Sequence, residues 1–223
     1  MHKVVAVIPA YNAEKTIGDV VKSALAYCDV IVVDDGSQDR TFTQSYIKGV
    51  TVYHLYRNYG AGYATKYGLD RSLSYDVAVT LDADGQHNPH EISQLVKPII
   101  DGEADVVVGS RFMQGKTDCP FYRKLGILII TWVYNLGHRP ITDAQSCFRA
   151  FRVSELSKIL SKENRFGFST EMLIRARKYK LAMVEVPISC VYRELSKDSI
   201  MNPIKQGVSV LIKTILWRLR LWN

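Results

Sequence analysis

The sequence predicts an α/β layer fold built on a mostly parallel central sheet flanked by helices. Short Val/Ile runs recur without polar alternation, which marks strands covered on both faces. Helical patterns separate most of these runs, and strand–helix alternation implies parallel neighbours. Carboxylate-bearing turns then follow directly on several runs, at the sheet edge where such folds hold their ligands. At 223 residues and 47% hydrophobic content, the chain is long enough to bury a full core.

Val4-Val5-Ala6-Val7-Ile8 reads as the first buried strand, stopped by Pro9. A helical stretch follows from about Glu14 to Tyr27, then a second strand, Val30 to Val33, and a third, Val50 to Leu55. Val77 to Leu81 and Val106 to Val108 make a fourth and a fifth, with helical patterns over Gly62 to Ser72 and His90 to Ile100. Later segments are apolar or amphipathic: Leu125 to Tyr134, a helix over Phe168 to Arg177, and Ile204 to Trp222. No internal repeat or low-complexity stretch is visible. Residues 1–200 are expected to form one domain, divided near residue 110, with 201–223 as an amphipathic helical appendage.

The most informative motif is Asp82-Ala83-Asp84-Gly85-Gln86-His87, directly after the fourth strand. In an extended segment residues i and i+2 share a face, so Asp82 and Asp84 converge on one point. Two carboxylates held together repel, and a cation between them relieves the repulsion. Hard oxygen ligands suit Mg²⁺ or Mn²⁺, which keeps open positions for substrate phosphates. A solvated acidic turn is the alternative. Pro9-Ala10-Tyr11-Asn12 and Asp34-Asp35-Gly36-Ser37 end the first and second strands on the same edge. Tyr11 offers a flat face for a base, and Asp35 an acceptor for a base or ribose; a simple turn and a helix cap are the alternatives.

Asn58-Tyr59-Gly60-Ala61-Gly62-Tyr63-Ala64 superficially resembles a dinucleotide fingerprint, but Thr65 stands where the third glycine belongs. It reads as a tight turn opening a helix, with Gly60 and Gly62 permitting close backbone approach to a ligand; a plain helix start is the alternative. His87 and His90 flank Pro89 and read as turn residues rather than metal ligands. Spacing leaves the role of Glu171 open, and Arg175-Ala176-Arg177-Lys178 reads as a solvated face.

Charge divides the chain. Residues 1–110 hold 9 Lys/Arg against 14 Asp/Glu, a net of −5; residues 111–223 hold 20 against 8, a net of +12. The acidic half suits a cation and the basic half a polyanion. The segment pattern favours lipid phosphate over nucleic acid: Leu125 to Tyr134 is too short to span a bilayer and follows the basic, aromatic Phe121-Tyr122-Arg123-Lys124. From Ile204 to Trp222 a stripe of Ile204, Val208, Leu211, Ile212, Ile215, Leu219 and Trp222 runs along one helical face, with Trp217 also suited to an interface. Both segments fit helices lying in a headgroup layer; core packing and a dimer contact are the alternatives. Four cysteines without CxxC pairing, and no secretory signal, point to reduced thiols in the cytoplasm.

Through these motifs, together with Gly109-Ser110-Arg111, Asp143 to Arg149 and Tyr192-Arg193, the chain resembles family 2 glycosyltransferases of the GT-A fold. The likeness is greatest to the polyprenyl-phosphate branch, the dolichyl-phosphate mannose and glucose synthases. The resemblance implies an inverting, metal-dependent transfer of a hexose (mannose or glucose) from a GDP- or UDP-sugar to a polyprenyl phosphate. It implies that Pro9, Ala10, Tyr11, Asn12, Glu14, Asp35, Gly60, Asp82 and Ala83 hold the nucleotide sugar. Asp82, Asp84 and Gln86 would hold the metal, Arg111 and Arg123 the acceptor phosphate, and Arg193 would close over the diphosphate. Asp84, Asp143 and Arg193 would be catalytic. The pattern departs at Ala13, where an acidic residue is usual and Glu14 stands in, at Cys147 in place of glycine, and at Ile127 in place of serine.

A lipid monophosphate has a second pKa near ~6, so it is largely dianionic at neutral pH and needs positioning more than deprotonation. The alternative acceptor, a saccharide hydroxyl, needs a base, for which Asp143 is the candidate. The expected setting is the cytoplasmic membrane surface, reached peripherally, with a separate anchor subunit or a homodimer as possible assemblies.

Overall fold

A computed structural model of the chain describes residues 2–113, 119–192 and 203–222. Seven strands form one sheet: β1 (Val4–Ala10), β2 (Asp29–Asp34), β3 (Val50–His54), β4 (Val77–Thr80), β5 (Val106–Ser110), β6 (Arg149–Arg152) and β7 (Met183–Pro187). Their spatial order is β3-β2-β1-β4-β6-β5-β7. All neighbours are parallel except β6, which runs antiparallel to both β4 and β5. The helices are α1 (Ile17–Leu25), α2 (Thr41–Ser45), α3 (Ala61–Leu69), α4 (Ile92–Ile100), α5 (Phe121–Asn135), α6 (Leu156–Ile159), α7 (Phe168–Lys178) and α8 (Pro203–Trp222).

The continuous Val/Ile runs are explained by burial on both faces. Along β1, Ala6 and Ile8 point into one apolar layer, with α1 and α4 supplying Ile17, Val21, Leu95 and Ile99. Val5 and Val7 point into the other, with Leu69 of α3, Leu156 of α6 and Leu173 of α7. Burying each such side chain contributes about 1.5–3 kcal/mol.

Two strands depart from the expected pattern. β6 is four residues long and opens on Arg149, which is fully buried and donates to the Ala144 carbonyl at 3.0 Å and to the Ser169 carbonyl. β7 carries Glu185 mid-strand, and no residue of this strand is fully buried. Expected helices are shortened at their ends: the pattern from Glu14 condenses to α1, and His90 falls in a 3₁₀ turn, Pro89–Glu91, before α4.

α5 and α8 lie against each other. Arg218 of α8 donates to the carbonyls of Val133, Tyr134 and Leu136, and Arg177 of α7 donates to those of Tyr134 (2.6 Å) and Arg139 (2.8 Å). Two guanidiniums thus satisfy the carbonyl-rich end of α5, where the helix dipole favours cations. Arg177 therefore does not belong to a solvated face; nor does Arg175, which pairs with buried Glu171 at 2.9 Å. Among the described residues, no helix is long and apolar enough to cross a membrane.

Candidate active site

The ends of β1, β2 and β4 lie side by side, as the pairings Ala10 with Asp34 and Val7 with Thr80 require. The first two turns are laced together. Asn12 adopts φ 49°, a left-handed conformation that asparagine tolerates. Its amide donates to Ser37 Oγ at 2.9 Å, and its Oδ1 accepts from the Gln38 amide at 3.0 Å. Ala13 N donates to Thr41 Oγ1 at 2.7 Å. Pro9 and Tyr11 stand half-buried on this edge, and Ala10 is buried. Glu14, expected to stand in for an acid at position 13, has its carboxylate held by the Arg40 side chain and amide, each at 3.2 Å.

Asp34 and Asp35 divide the work. Asp34, fully buried, accepts from the Ser37 amide at 3.1 Å and lies 2.7 Å from His54 Nδ1. Asp35 is turned toward the Tyr59 and Gly60 amides, at 2.9 and 2.8 Å. Burial raises its pKa, against those two amides. Both its oxygens are engaged, so it fastens the Tyr59-Gly60 turn to the end of β2 and leaves only residual acceptor capacity for a base or ribose. Gly60 sits at φ +105°, where a Cβ would lie 2.4 Å from the Asn164 carbonyl oxygen. The close approach that this glycine permits is therefore to the chain's own 163–165 segment.

β4 ends at Thr80, and Ala83 and Asp84 lie in a turn rather than in the extended segment expected. Ala83 turns into the core, and its carbonyl accepts from Thr16 Oγ1 at 2.7 Å. Asp82, 37% exposed at its side chain, and exposed Asp84 remain on the crevice. Burial, then the neighbouring Asp84 charge, pushes Asp82 up to about 7 against the pull of Arg111 and Arg149. Asp84 Oδ1 accepts from the Gln86 amide at 2.9 Å, which folds the loop back under the pair. Gln86 Oε1 has the Cys190 thiol at 4.0 Å, and its carbonyl accepts from Val191 N.

Among the described residues, no group of three or more His, Cys, Asp or Glu gathers to enclose a metal. Two repelling hard carboxylates with an amide oxygen nearby fit Mg²⁺ or Mn²⁺ held partly by ligand phosphate oxygens. His87 is not a ligand in this arrangement. It is buried against the Phe148 ring, 3.8 Å from Asp82, and burial and then Arg111 push it down to about 3, so it is neutral. His90 lies apart, edge-on to Tyr27.

Arg111, whose charge acts on Asp82, is held by Asp143. Arg111 Nε and Nη2 clasp the two Asp143 oxygens at 2.7 and 2.9 Å, while Nη1 reaches the Tyr192 hydroxyl at 3.1 Å. Asp143 is fully buried and also accepts from the Gln145 and Ser146 amides at 3.1 Å. Glu185 fixes this turn from β7 by accepting the Thr142 and Asp143 amides at 2.7 and 3.0 Å. Burial works to lower the Arg111 pKa, and Asp143 more than reverses it.

This argues against Asp143 as the base that the saccharide-acceptor alternative requires. A carboxylate buried and engaged by a guanidinium and two amides cannot serve as a base toward an acceptor; it positions Arg111. Three of the five Arg111 N–H donors are committed, and the remaining two can meet a phosphate. Tyr192 is also hydrogen-bonded to Cys119, which precedes the start of α5. Arg123 lies half-buried in the first turn of that helix, with no ion pair among the described residues. A cation there adds to the positive end of the helix dipole, so the position attracts anions. Arg193 lies outside the described residues.

Residues the sequence did not single out do much of the positioning. Glu185, His54 (on Asp34) and Cys119 (on Tyr192) all pair across long sequence separations, with no local spacing to reveal them. Glu171, left open by the sequence, binds the 161–163 turn.

A family model described as glycosyl transferase family 2 matches residues 5–160. A UDP-N-acetylglucosamine–dolichyl-phosphate N-acetylglucosaminyltransferase of Methanococcus voltae is 38% identical, over 92% of this chain and 90% of its own. An undecaprenyl-phosphate mannosyltransferase of Micrococcus luteus is 32% identical, over 91% and 89%. In fold, the chain is similar to glucosyl-3-phosphoglycerate synthase from Mycobacterium tuberculosis, solved with Mn²⁺, UDP-glucose and phosphoglyceric acid. That structure has a TM-score of 0.75 and 21% identity, over 96% of this chain and 80% of the other.

Proposed function

The chain belongs to glycosyltransferase family 2, and we propose that it moves a hexose from a nucleotide sugar to a polyprenyl phosphate, inverting the anomeric centre. The observation that carries this reading is the acidic pair Asp82 and Asp84 beyond β4, with Asp143-braced Arg111 near enough for its charge to act on Asp82. The polyprenyl-phosphate acceptors of the 38% and 32% identical relatives support it.

On the donor side, Pro9, Ala10, Tyr11 and Asn12 with the Gly60 turn would line the nucleotide, while Asp82 and Asp84, with Gln86, would hold Mg²⁺ or Mn²⁺. The ion, when bound, supplies charge for the departing diphosphate. On the acceptor side, Arg111 and Arg123 orient the phosphate, whose oxygen attacks the anomeric carbon in line as the bond to the diphosphate breaks. The dianion needs no base. The engagement of Asp143 with Arg111 favours this acceptor over a saccharide hydroxyl.

The outward faces of α5 and α8 favour a lipid surface as the docking partner. Phe121 is 80% exposed and Trp132 64%, and Leu125, Leu128 and Ile129 are exposed beside them on α5. Ile204, Val208, Ile212, Ile215 and Leu219 are exposed on α8. Such contiguous apolar area flanked by Lys and Arg fits an anionic headgroup layer on the cytoplasmic face. Trp217 turns inward instead, against Gly167. A homodimer or an anchor subunit would cover the same face.

The test is transfer from UDP- and GDP-hexoses, with Mn²⁺, to polyprenyl phosphate and to a neutral glycan at equal donor. Transfer to the lipid phosphate alone is expected; transfer only to the glycan would overturn the reading. Arg123→Ala should lower use of the lipid acceptor more than nucleotide binding.

A further inference from the structure

The segment from Ser161 to Gly167 joins two parts of the molecule otherwise far apart in function. At one end it bounds the donor turn. The Asn164 carbonyl accepts from Tyr63 N at 3.1 Å, within the first turn of α3. A Cβ on Gly62 would lie 2.5 Å from the Glu163 carbonyl oxygen, so the two backbones lie flush. The Tyr59-Gly60 turn is therefore gripped between Asp35 and this segment.

At its base the segment is fixed by α7. Glu171, buried, accepts from Ser161 Oγ at 2.6 Å and from the Lys162 and Glu163 amides at 3.1 and 3.0 Å. At its outer side it is tied to α8. Glu163 Oε2 pairs with Lys213 at 2.6 Å, while Oε1 accepts from the Arg165 amide at 3.0 Å. A Cβ on Gly167 would lie 2.7 Å from the Trp217 ring. The helix that presents Ile204, Val208, Ile212, Ile215 and Leu219 outward thus carries Lys213 and Trp217 inward, onto the segment that braces the donor turn.

We propose that the Glu163–Lys213 pair couples docking of α8 to nucleotide binding, Glu163 acting as a positioning residue for the Gly60 turn. The proposal rests on the donor and lipid-docking readings above. Covering the outward stripe fixes α8; fixed Lys213 and Trp217 hold the 163–167 segment against Gly60 and Gly62. The turn then meets the nucleotide pre-ordered, and the ligand no longer bears the cost of ordering it. Coupling between two sites is reciprocal, so nucleotide must strengthen docking by the same factor.

The experiment uses the full chain, with UDP and GDP, each with Mn²⁺, as nucleotide probes. The surface is vesicles of phosphatidylglycerol and phosphatidylcholine. Nucleotide affinity is measured with and without vesicles, and docking by co-sedimentation with and without nucleotide. For the wild type, vesicles are expected to tighten the nucleotide that binds by about fivefold, and that nucleotide to tighten docking equally. Glu163→Gln and Lys213→Gln should sediment with vesicles as the wild type does, yet lose the vesicle-induced shift in nucleotide affinity. The charge-exchanged double variant, Glu163→Lys with Lys213→Glu, should regain part of it.

A wild type that docks and binds but shows no shift would overturn the coupling, as would single variants that keep the full shift. Failure to sediment, or failure of both nucleotides to bind, would instead overturn the docking or the donor reading, and the coupling with it.

Discussion

Asp82 and Asp84 stood out in the sequence because their relation is local, two acids directly after an apolar run, although the chain turns at Ala83 instead of running on extended. The partner of Asp143 was not legible, for the opposite reason. Asp143 lies 32 positions from Arg111, and only the folded sheet brings the two together at 2.7 Å. The pair gives a sharp expectation. Breaking a buried ion pair by removing one partner costs about 3–5 kcal/mol, whereas replacing both with apolar groups is often neutral. Asp143→Asn should lower the denaturation midpoint substantially, and Asp143→Leu with Arg111→Met should recover most of it while remaining inactive. A true base would lose activity in Asp143→Asn at unchanged stability, and chemical denaturation beside turnover separates the two.

The acidic pair gives a second residue-scale expectation, in pH. The folded-state pKa of Asp82 is raised to about 7, above the unfolded value near ~3.9. Its contribution to apo-protein stability is therefore present at low pH and lost as pH rises through about 7. His87 has the opposite sign: lowered to about 3, it costs stability as pH falls below its unfolded value near ~6.5. A cation on Asp82 and Asp84 competes with the proton on Asp82 but not with His87. The rise in melting temperature given by Mn²⁺ over EDTA should grow from pH 5.5 to pH 8, and Asp84→Asn should abolish both that rise and metal-dependent turnover. A Mn²⁺ effect independent of pH would remove the carboxylate pair from the metal site.

At the scale of elements, periodicity found the helices but not always which face looks inward. On α8 the stripe expected to meet a headgroup layer points outward at Ile204, Val208, Ile212, Ile215 and Leu219; Val210 and Thr214 are the buried positions, with Trp217 turned inward. Hydrophobicity alone cannot distinguish a stripe that meets the core from one that meets a lipid surface. The strands failed differently. β6 begins with an arginine and β7 carries a glutamate, and both charges are satisfied by groups distant in sequence, so neither segment looks apolar enough to be a strand. For α8 the faces make contrasting predictions. Ile212→Glu should leave the melting temperature nearly unchanged and weaken co-sedimentation with anionic vesicles. Val210→Glu should destabilise by several kcal/mol, since it places an unpaired carboxylate in the packed interface. Equal destabilisation by both would mean that the stripe is internal.

At the scale of the molecule, legibility tracks contact order. The first 110 residues form β1 to β5 with helices between, mostly by parallel neighbours close in sequence, and their order could be read from alternation. Then β6 inserts antiparallel between β4 and β5, a rearrangement that no local pattern announces. The division also separates charge, −5 before residue 111 and +12 after it. In the proposed reaction this polarity has a use, because the acidic half concentrates a cation for the donor and the basic half draws the chain to an anionic surface. The two parts of that attraction answer differently to salt. The Debye length falls from about 10 Å at 0.1 M to about 3 Å at 1 M, so the Lys and Arg contribution should fade while burial of the α5 and α8 side chains persists. Co-sedimentation with phosphatidylglycerol vesicles should therefore weaken severalfold between 0.05 and 0.5 M NaCl but not vanish. With purely phosphatidylcholine vesicles it should be weaker and nearly independent of salt. Complete loss of docking in high salt would show that the exposed apolar residues do not enter the lipid, and would return that face to a protein partner.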